Sequence, residues 1–485
     1  MAKAKTPSYT LTLRCKTQPF QEHVLEKRFE MARKLYNRYL GELLKRKKMM
    51  EHDSTYHHWI IQPKSKEKNA VLSELRKLYG LFFASIDAFA TRCRKPFAKH
   101  IDSDTNSKLA KRACETVEKL LFNKDTQKVH FKKFGTMDSV EGKKQSGIRF
   151  VNQHLVWNGL HIAVVINKKD VYAHLALLDR LKYSRIQRRF VKGKVQYYVQ
   201  LILEGFPPQK VEAKTGKPRN LINKGKVGLD IGTQTIAISS EQDVKLLELA
   251  PSVDNIEKEK RKLLRKLDRS RRITNPNKYN EDGTIKIGNN DKWVRSNNYM
   301  KVLFQYKELQ RKVVDKRKQD HERLANAILS LGNEIKVETM NYKGLAKRSK
   351  ETTINEKTGR YNRKKRLGKS IGNKAPSMLL RIIKQKLAYH GYTLFEVDTW
   401  TLKASQYNHV EDISTKKTLS KRWNVIDGKR VQRDMYSAYL LQHTVNEKEY
   451  DKQALHEHYQ DFLELHDKEV ERLRLNKKNV SSMGI

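Results

Sequence analysis

Three acidic residues in this 485-residue chain stand out by what surrounds them. In Val227-Gly228-Leu229-Asp230-Ile231-Gly232, strand alternation sends Val227, Leu229 and Ile231 to one face and Gly228, Asp230 and Gly232 to the other. An aspartate between two glycines leaves room for a phosphate and metal ions to approach its carboxylate, whereas glycine inside a strand otherwise only weakens it. Glu338 repeats the arrangement, with Ile335, Val337 and Thr339 on one face and Glu338 on the other beside Lys336 and Met340. Asp434 lies in the first turn of a predicted helix, a position that favours an acid. Ser437 and Ala438, at i+3 and i+4, let that face pack close to a sheet. Taken alone, Glu338 and Asp434 read more simply as surface acids. Three acids at element ends, in a β-β, helix, β, helix, β, helix order, suit a hard divalent cation. Two magnesium ions (manganese the alternative) held ~3.5 to 4 Å apart activate a water and stabilise the departing oxygen of a phosphodiester. The expected reaction is hydrolysis of a nucleic-acid backbone, with Asp230, Glu338 and Asp434 as both the catalytic and the metal-holding residues.

Composition points to the same substrate class. Lys and Arg number 101 against 54 Asp and Glu, a formal charge of +47. Self-repulsion of that size opposes a compact fold unless a polyanion neutralises it. No stretch approaches the ~18 to 20 apolar residues of a membrane span, and the opening MAKAKTPSY has no signal-peptide core. The expectation is a soluble, unexported protein with no membrane partner. Cys15, Cys93 and Cys114 are too few and scattered for a disulfide framework or a zinc site and read as reduced thiols.

Periodicity supplies the elements that must position the acids. Helical spacing runs from Phe20 to about Lys48, from about Asn69 to Ala98 and from about Ser107 to Phe122. Alternating Tyr9, Leu11 and Leu13 precede these helices, and strands resume at 147–151, 160–165 and in a hairpin over Ser184 to Leu203, so the helices read as inserted into a β domain. Arg185, Arg188, Arg189 and Lys194 give that hairpin a cationic, nucleic-acid-binding character. The run from Phe206 to Lys226 breaks both periodicities and marks the main boundary. Beyond it come a strand pair over 227–249, helices over 253–272 and 299–331, a strand from Ile335, a helix over 378–389, a strand over 393–397, and helices over 433–442 and 452–473. The Asn-rich 275–298 reads as a flexible link. Residues 343–374 hold 12 Lys or Arg and two Glu.

The blocks VGLDIGTQTIAIS, IKVETMNYKGLAKRS and VQRDMYSAYLL, with ARKLYNRYL near the start, resemble the RuvC-like nucleases of transposon-encoded TnpB proteins, relatives of compact type V CRISPR effectors. The resemblance implies a multidomain α+β protein. Its wedge β domain comprises 1–18 and 131–222, interrupted by a helical recognition domain over 19–130. An RNase H-like (RuvC) nuclease follows over 223–402, then a small target-nucleic-acid-binding insert over 403–431 and C-terminal RuvC helices over 432–485. It further implies a guide RNA of transposon-end or similar origin, a double-stranded DNA target with a flanking motif, and one protein copy in the ribonucleoprotein. Residues 343–374 become a lid, with Arg348, Arg363, Lys364, Lys365 and Arg366 meeting phosphates; the alternative is a solvated loop.

Two departures from the family pattern matter. Residues 403–432 contain no cysteine and only His409, so no structural zinc is expected; the insert would fold on Tyr407, Val410, Leu419, Trp423, Val425 and Ile426. Tyr436 replaces an asparagine common two residues after the third acid. Two rivals remain: an actin- or sugar-kinase-like ATPase, for which Asp230-Ile231-Gly232-Thr233 supplies a first phosphate loop but no second loop is found, and a nuclease-silent RNA-guided DNA-binding repressor.

Overall fold

The chain forms two units, Met1–Gln209 and Lys210–Ile485. The computed structural model describes residues 6–123, 126–143, 146–212, 214–347, 352–356, 358–359, 361, 367–418, 421–476, 479 and 481–485. In the first unit, β1 (Ser8–Lys16) buries Tyr9, Leu11, Leu13 and Cys15 on one face. Helices α1 (Pro19–Glu51), α2 (Ser54–Ile61), α3 (Lys66–Leu78), α4 (Phe83–Arg94) and α5 (Ser103–Phe122) follow. Then come β2 (Ser139–Glu141), β3 (Ile148–Val151), β4 (His154–Trp157), β5 (Leu160–Val165), α6 (Val171–Ala176), β6 (Leu181–Val191) and β7 (Lys194–Glu204). The sheet order β2-β6-β7-β1-β5-β4-β3 puts β1 between strands made more than a hundred residues later, with Tyr9 opposite Leu203 and Leu13 opposite Val199. The β6–β7 hairpin turns at Lys192 and Gly193, whose φ values of 49° and 80° are those a two-residue type I′ turn needs. The single helical stretch expected over 69–98 is divided, because the chain between α3 and α4 turns at Gly80 with φ 64°. The short α2, capped by the Asp53 carboxylate accepting from the Thr55 amide, buries no residue and so left no periodic signal.

The second unit begins with β8 (Lys226–Ile231), β9 (Thr235–Ser240) and β10 (Val244–Glu248), three strands where a pair was expected. Helices α7 (Asp254–Thr274) and α8 (Asn297–Leu329), β11 (Glu334–Glu338), α9 (Tyr342–Ala346), α10 (Leu367–Lys374), α11 (Pro376–Tyr389), β12 (Phe395–Val397) and α12 (Thr399–Leu402) follow. The hairpins β13 (Tyr407–Asn408) with β14 (Ile413–Ser414) and β15 (Trp423–Ile426) with β16 (Lys429–Gln432) lead into α13 (Arg433–Gln442), α14 (Lys452–Glu457) and α15 (Tyr459–Leu475). The main sheet has the order β10-β9-β8-β11-β12; β9 is antiparallel to both its neighbours, and β11 is parallel to β8 and β12. One face (Val227, Leu229, Ile231, Ile335, Val337) packs against Ile328, Leu329, Leu379 and Ile383 of α8 and α11. On the other face, Ala237 and Leu246 share a core with Ala438, Leu441 and Phe462 of α13 and α15. The sheet is thus sandwiched between helical layers.

Residues 275–298 are not the slack link that composition suggests. Asn275 is buried, its side chain donating to the Val294 carbonyl (3.0 Å) and accepting from the Val294 amide (2.8 Å). The buried Lys278 ammonium donates to Asn289 Oδ1 (2.9 Å) and lies 5.3 Å from the Trp293 ring centre, which also takes Arg271 at 5.4 Å. Polar composition here serves internal hydrogen bonds. In the insert, Tyr407 and Ile426 are buried, but Val410 and Val425 face solvent, and Leu419 lies outside the described residues. The helix expected over 452–473 is two helices meeting at His458. The three cysteines are buried and free. Among the described residues, no helix is long and apolar enough to cross a membrane.

Candidate metal centre and cationic surfaces

Parallel pairing of β8 with β11 puts Leu229 opposite Val337, so the next residues, Asp230 and Glu338, are neighbours on the face that α13 covers. The approach of α13 depends on Gly228. A Cβ at that position would overlap the Ala438 carbonyl and the Gln442 amide and stand 3.0 Å from Gln442 Cα. This corrects one expectation, since the first glycine makes room for a helix backbone rather than for a phosphate. Gly232 is the open one, where an added Cβ meets only Thr235 atoms at 3.4 and 3.5 Å. The far end of α13 is tied to the sheet by Gln442 Oε1, which accepts from Ser239 Oγ (2.7 Å), and by the buried Lys336 ammonium, which donates to the Gln442 (3.2 Å) and Thr444 carbonyls. A cation at a helix C-terminus also meets the negative end of its dipole. At the near end, Gln432 caps α13 by accepting from the Met435 amide (2.8 Å), which sets Asp434 in the first turn.

The three carboxylates share one electrostatic field. Burial, then the charges of Asp434 and Glu338, push the Asp230 carboxyl well above the usual range, against the opposing pull of Arg433 and Arg422. Burial raises Glu338 also, offset by a hydrogen bond from the Ala404 backbone. Tyr342, whose hydroxyl donates to the Ile231 carbonyl (3.0 Å), is pushed up by burial and by Asp230 and Glu338. Yet the acids do not share one coordination sphere: among the described residues, no three His, Cys, Asp or Glu side chains are grouped to hold a metal ion. Asp434 is instead held by Arg433 (Nε 3.1 Å and Nη2 3.0 Å to Oδ1) and by Arg422 (Nη1 3.4 Å to Oδ2). The donor chemistry fits magnesium, being hard oxygens whose mutual repulsion a cation relieves. Two guanidinium groups now meet part of that need.

The predicted basic residues divide. Arg188 is consumed internally: its side chain is 11% exposed, pairs with Glu26, donates to the Gly135 (2.8 Å) and Met137 (3.0 Å) carbonyls and lies over the Phe29 ring. Arg185 is bound to the Glu141 carboxylate (2.7 and 3.1 Å). Arg189, which donates to Gln187 and stacks over Tyr198, and Lys194 are exposed. Arg348, Arg363, Lys364, Lys365 and Arg366 lie outside the described residues. Lys336, Arg422, Arg433 and Tyr342 were not anticipated, although Lys336 already stood on the acid face of its strand. His409 is a packing residue in an aromatic cluster. Its Nδ1 is 2.6 Å from the hydroxyl of Tyr436, which also accepts from the His409 amide (3.1 Å), and its ring meets Tyr459 at 4.7 Å and His456 at 5.1 Å. Tyr436 thus points away from Asp434 into the core.

No protein-family model and no curated protein matches the chain. Among solved structures, it is similar to a Cas12f1 complex with single-guide RNA and target DNA, at TM-score 0.45 and 11% identity over 90% of this chain and 99% of that one. A CRISPR-Cas12f ternary complex gives TM-score 0.27 at 12% identity over 87% and 82%.

Proposed function

We propose that the chain is a magnesium-dependent, RNA-guided DNA endonuclease of TnpB type whose RuvC-like core is built on the β8–β12 sheet and α13. The observation that carries the reading is geometric: parallel β8 and β11 set Asp230 beside Glu338 on the face that α13 covers, and Asp434 stands in the first turn of α13, although Glu338 and Asp434 lie 108 and 204 positions from Asp230 in the sequence. Stability alone gives no reason to bury like charges together, and such clusters recur at functional sites. The strand–helix alternation of this unit supports the RNase H-like assignment, and the +47 charge supports a nucleic-acid substrate. Bound magnesium would polarise the scissile phosphate and an attacking water. Asp230, Glu338 and Asp434 would hold the ions, and Lys336 and Gly228 would fix α13 so that Asp434 faces the strand ends. Arg422 and Arg433 hold the Asp434 side chain in place, and bound ions would compete with them for its oxygens.

A second reading has an observation in its favour. The arginine contacts to Asp434 would suit a nuclease-silent RNA-guided repressor, in which they permanently replace the metal. Purified protein with its co-purifying RNA decides between the two. Endonuclease function requires cleavage of matched DNA in magnesium, loss of cutting in Asp230→Ala or in chelator, and retained guide-dependent DNA binding. Guide-dependent binding with no cutting by the unmutated protein establishes the repressor, and normal cutting by Asp230→Ala removes the proposed centre.

A further inference from the structure

We propose that Trp400 is a stacking platform for an unpaired nucleobase close to the phosphate that is cut. This deepens the reading above and rests on it for the substrate. Pairing of β11 with β12 sets Val397 opposite Glu338, and α12 starts two residues later. The turn that carries Trp400 is pinned on both sides. Before it, Thr399 Oγ1 donates to the carbonyl of Thr339 (2.7 Å), the residue after Glu338. The Asp398 carboxylate accepts from the Trp400 amide (3.0 Å) and from the Thr401 hydroxyl (2.8 Å). After it, Leu402 is buried and the Ala404 amide donates to the Glu338 carboxylate. Trp400 therefore stands within about 10 Å of that carboxylate, a reach of roughly three nucleotides at ~3.4 Å each.

The backbone is fixed, but the indole is not. Trp400 is 86% exposed, and among the described residues its ring has no aromatic, cationic or hydrogen-bonding neighbour. The other tryptophans are engaged: Trp157 packs on Phe29, Trp293 takes Arg271 and Lys278, Trp423 donates to the Gly484 carbonyl (2.8 Å), and Trp59 meets His58. One exposed apolar side chain is ordinary by itself; its tie to the Glu338 loop is what sets this one apart. Thr399, Thr401 and Lys403 beside it are polar, so no extended apolar patch of the kind that protein partners cover is formed. A rigid ring costs little conformational entropy to immobilise. It accepts any base, because each has a π-face. In a duplex both faces of a base are covered by its neighbours, so the platform selects an unpaired strand. Lys403, exposed just beyond α12, adds a cation for an adjoining phosphate.

The test uses full-length protein with its co-purifying RNA and a matched DNA target. 2-Aminopurine, whose fluorescence is quenched by stacking, replaces one base at a time in the strand that the guide leaves unpaired. Binding is read in calcium, which takes the same oxygen ligands as magnesium, and cleavage in magnesium. With the parent protein, one position or two adjacent ones should be quenched; Trp400→Ala should leave them bright, and Trp400→Phe should restore the quenching. Ile287→Ala, at another fully exposed apolar residue, should change nothing. An abasic residue at the quenched position should lower kcat/KM of the parent by about 5- to 150-fold, the range for one base–aromatic stack, and that of Trp400→Ala by less than about twofold. The same quenching pattern in Trp400→Ala, or an equal abasic penalty in both proteins, overturns the platform. Quenching is read without cutting, so a parent protein that quenches but does not cut supports the platform and refutes only the nuclease.

Discussion

Replacing Gly228 with alanine puts one methyl group between β8 and α13. The new Cβ would overlap the Ala438 carbonyl oxygen and the Gln442 amide nitrogen and stand 3.0 Å from Gln442 Cα, all backbone atoms that no rotamer change can move. Restoring contacts of about 3.5 Å requires the helix to lift by roughly 1.5 Å. That displacement breaks the Ser239–Gln442 hydrogen bond (2.7 Å) and the Lys336–Gln442 one (3.2 Å). A neutral bond contributes about 1 kcal/mol, a charged one about 1.5–3, and overpacking adds about 1–3 kcal/mol. The expected loss is about 4 kcal/mol or more, lowering Tm by roughly 8–16 °C. Since Asp434 rides on the same helix, the proposed cleavage activity should fall with it. The internal control is Gly232→Ala, whose Cβ meets Thr235 at ordinary contact distance and should cost under about 1 kcal/mol. Calorimetry or circular-dichroism melting of both variants measures the difference. A Gly228→Ala protein as stable as the parent would refute the packing of α13 on β8, and with it the placement of Asp434.

Lys336→Met keeps the length of the side chain but leaves the Gln442 and Thr444 carbonyls without their buried donor, so denaturant titration should show a loss of about 2–4 kcal/mol; an unchanged midpoint removes the clamp. Acid sensitivity follows from His409 and His443, which burial holds down at about 4. Their folded values lie below the unfolded value of about 6.5, so the unfolded chain binds more protons between those limits. Their contribution is complete above about pH 6.5 and is lost as pH falls toward 4, at up to about 2.7 kcal/mol per pH unit for the two together. Urea denaturation at pH 7.5, 6 and 5 reads this slope, and His409→Phe should remove about half of it. A flat profile contradicts the buried, neutral state of both rings.

Much of this protein is written in short-range pattern. The alternation of Val227, Leu229 and Ile231 against Gly228 and Asp230 specifies a strand and its two faces, and that strand spans Lys226–Ile231. The apolar positions over 433–442 correspond to α13 residue for residue, because backbone period is a local property. Only the tertiary structure decided which neighbour each face meets. Gly228 is a contact point for a helix that begins two hundred residues later, Arg188 is bound by Glu26 and two carbonyls rather than left for phosphate, and the Asn-rich 275–298 packs around Lys278 and Trp293. The same holds for the acids. Their types and faces are local facts, but the rise in the Asp230 pKa, and the capture of Asp434 by Arg422 and Arg433, arise when β8, β11 and α13 are brought together. Those long-range pairings are set by loop closure and packing, not by the pattern around any one residue.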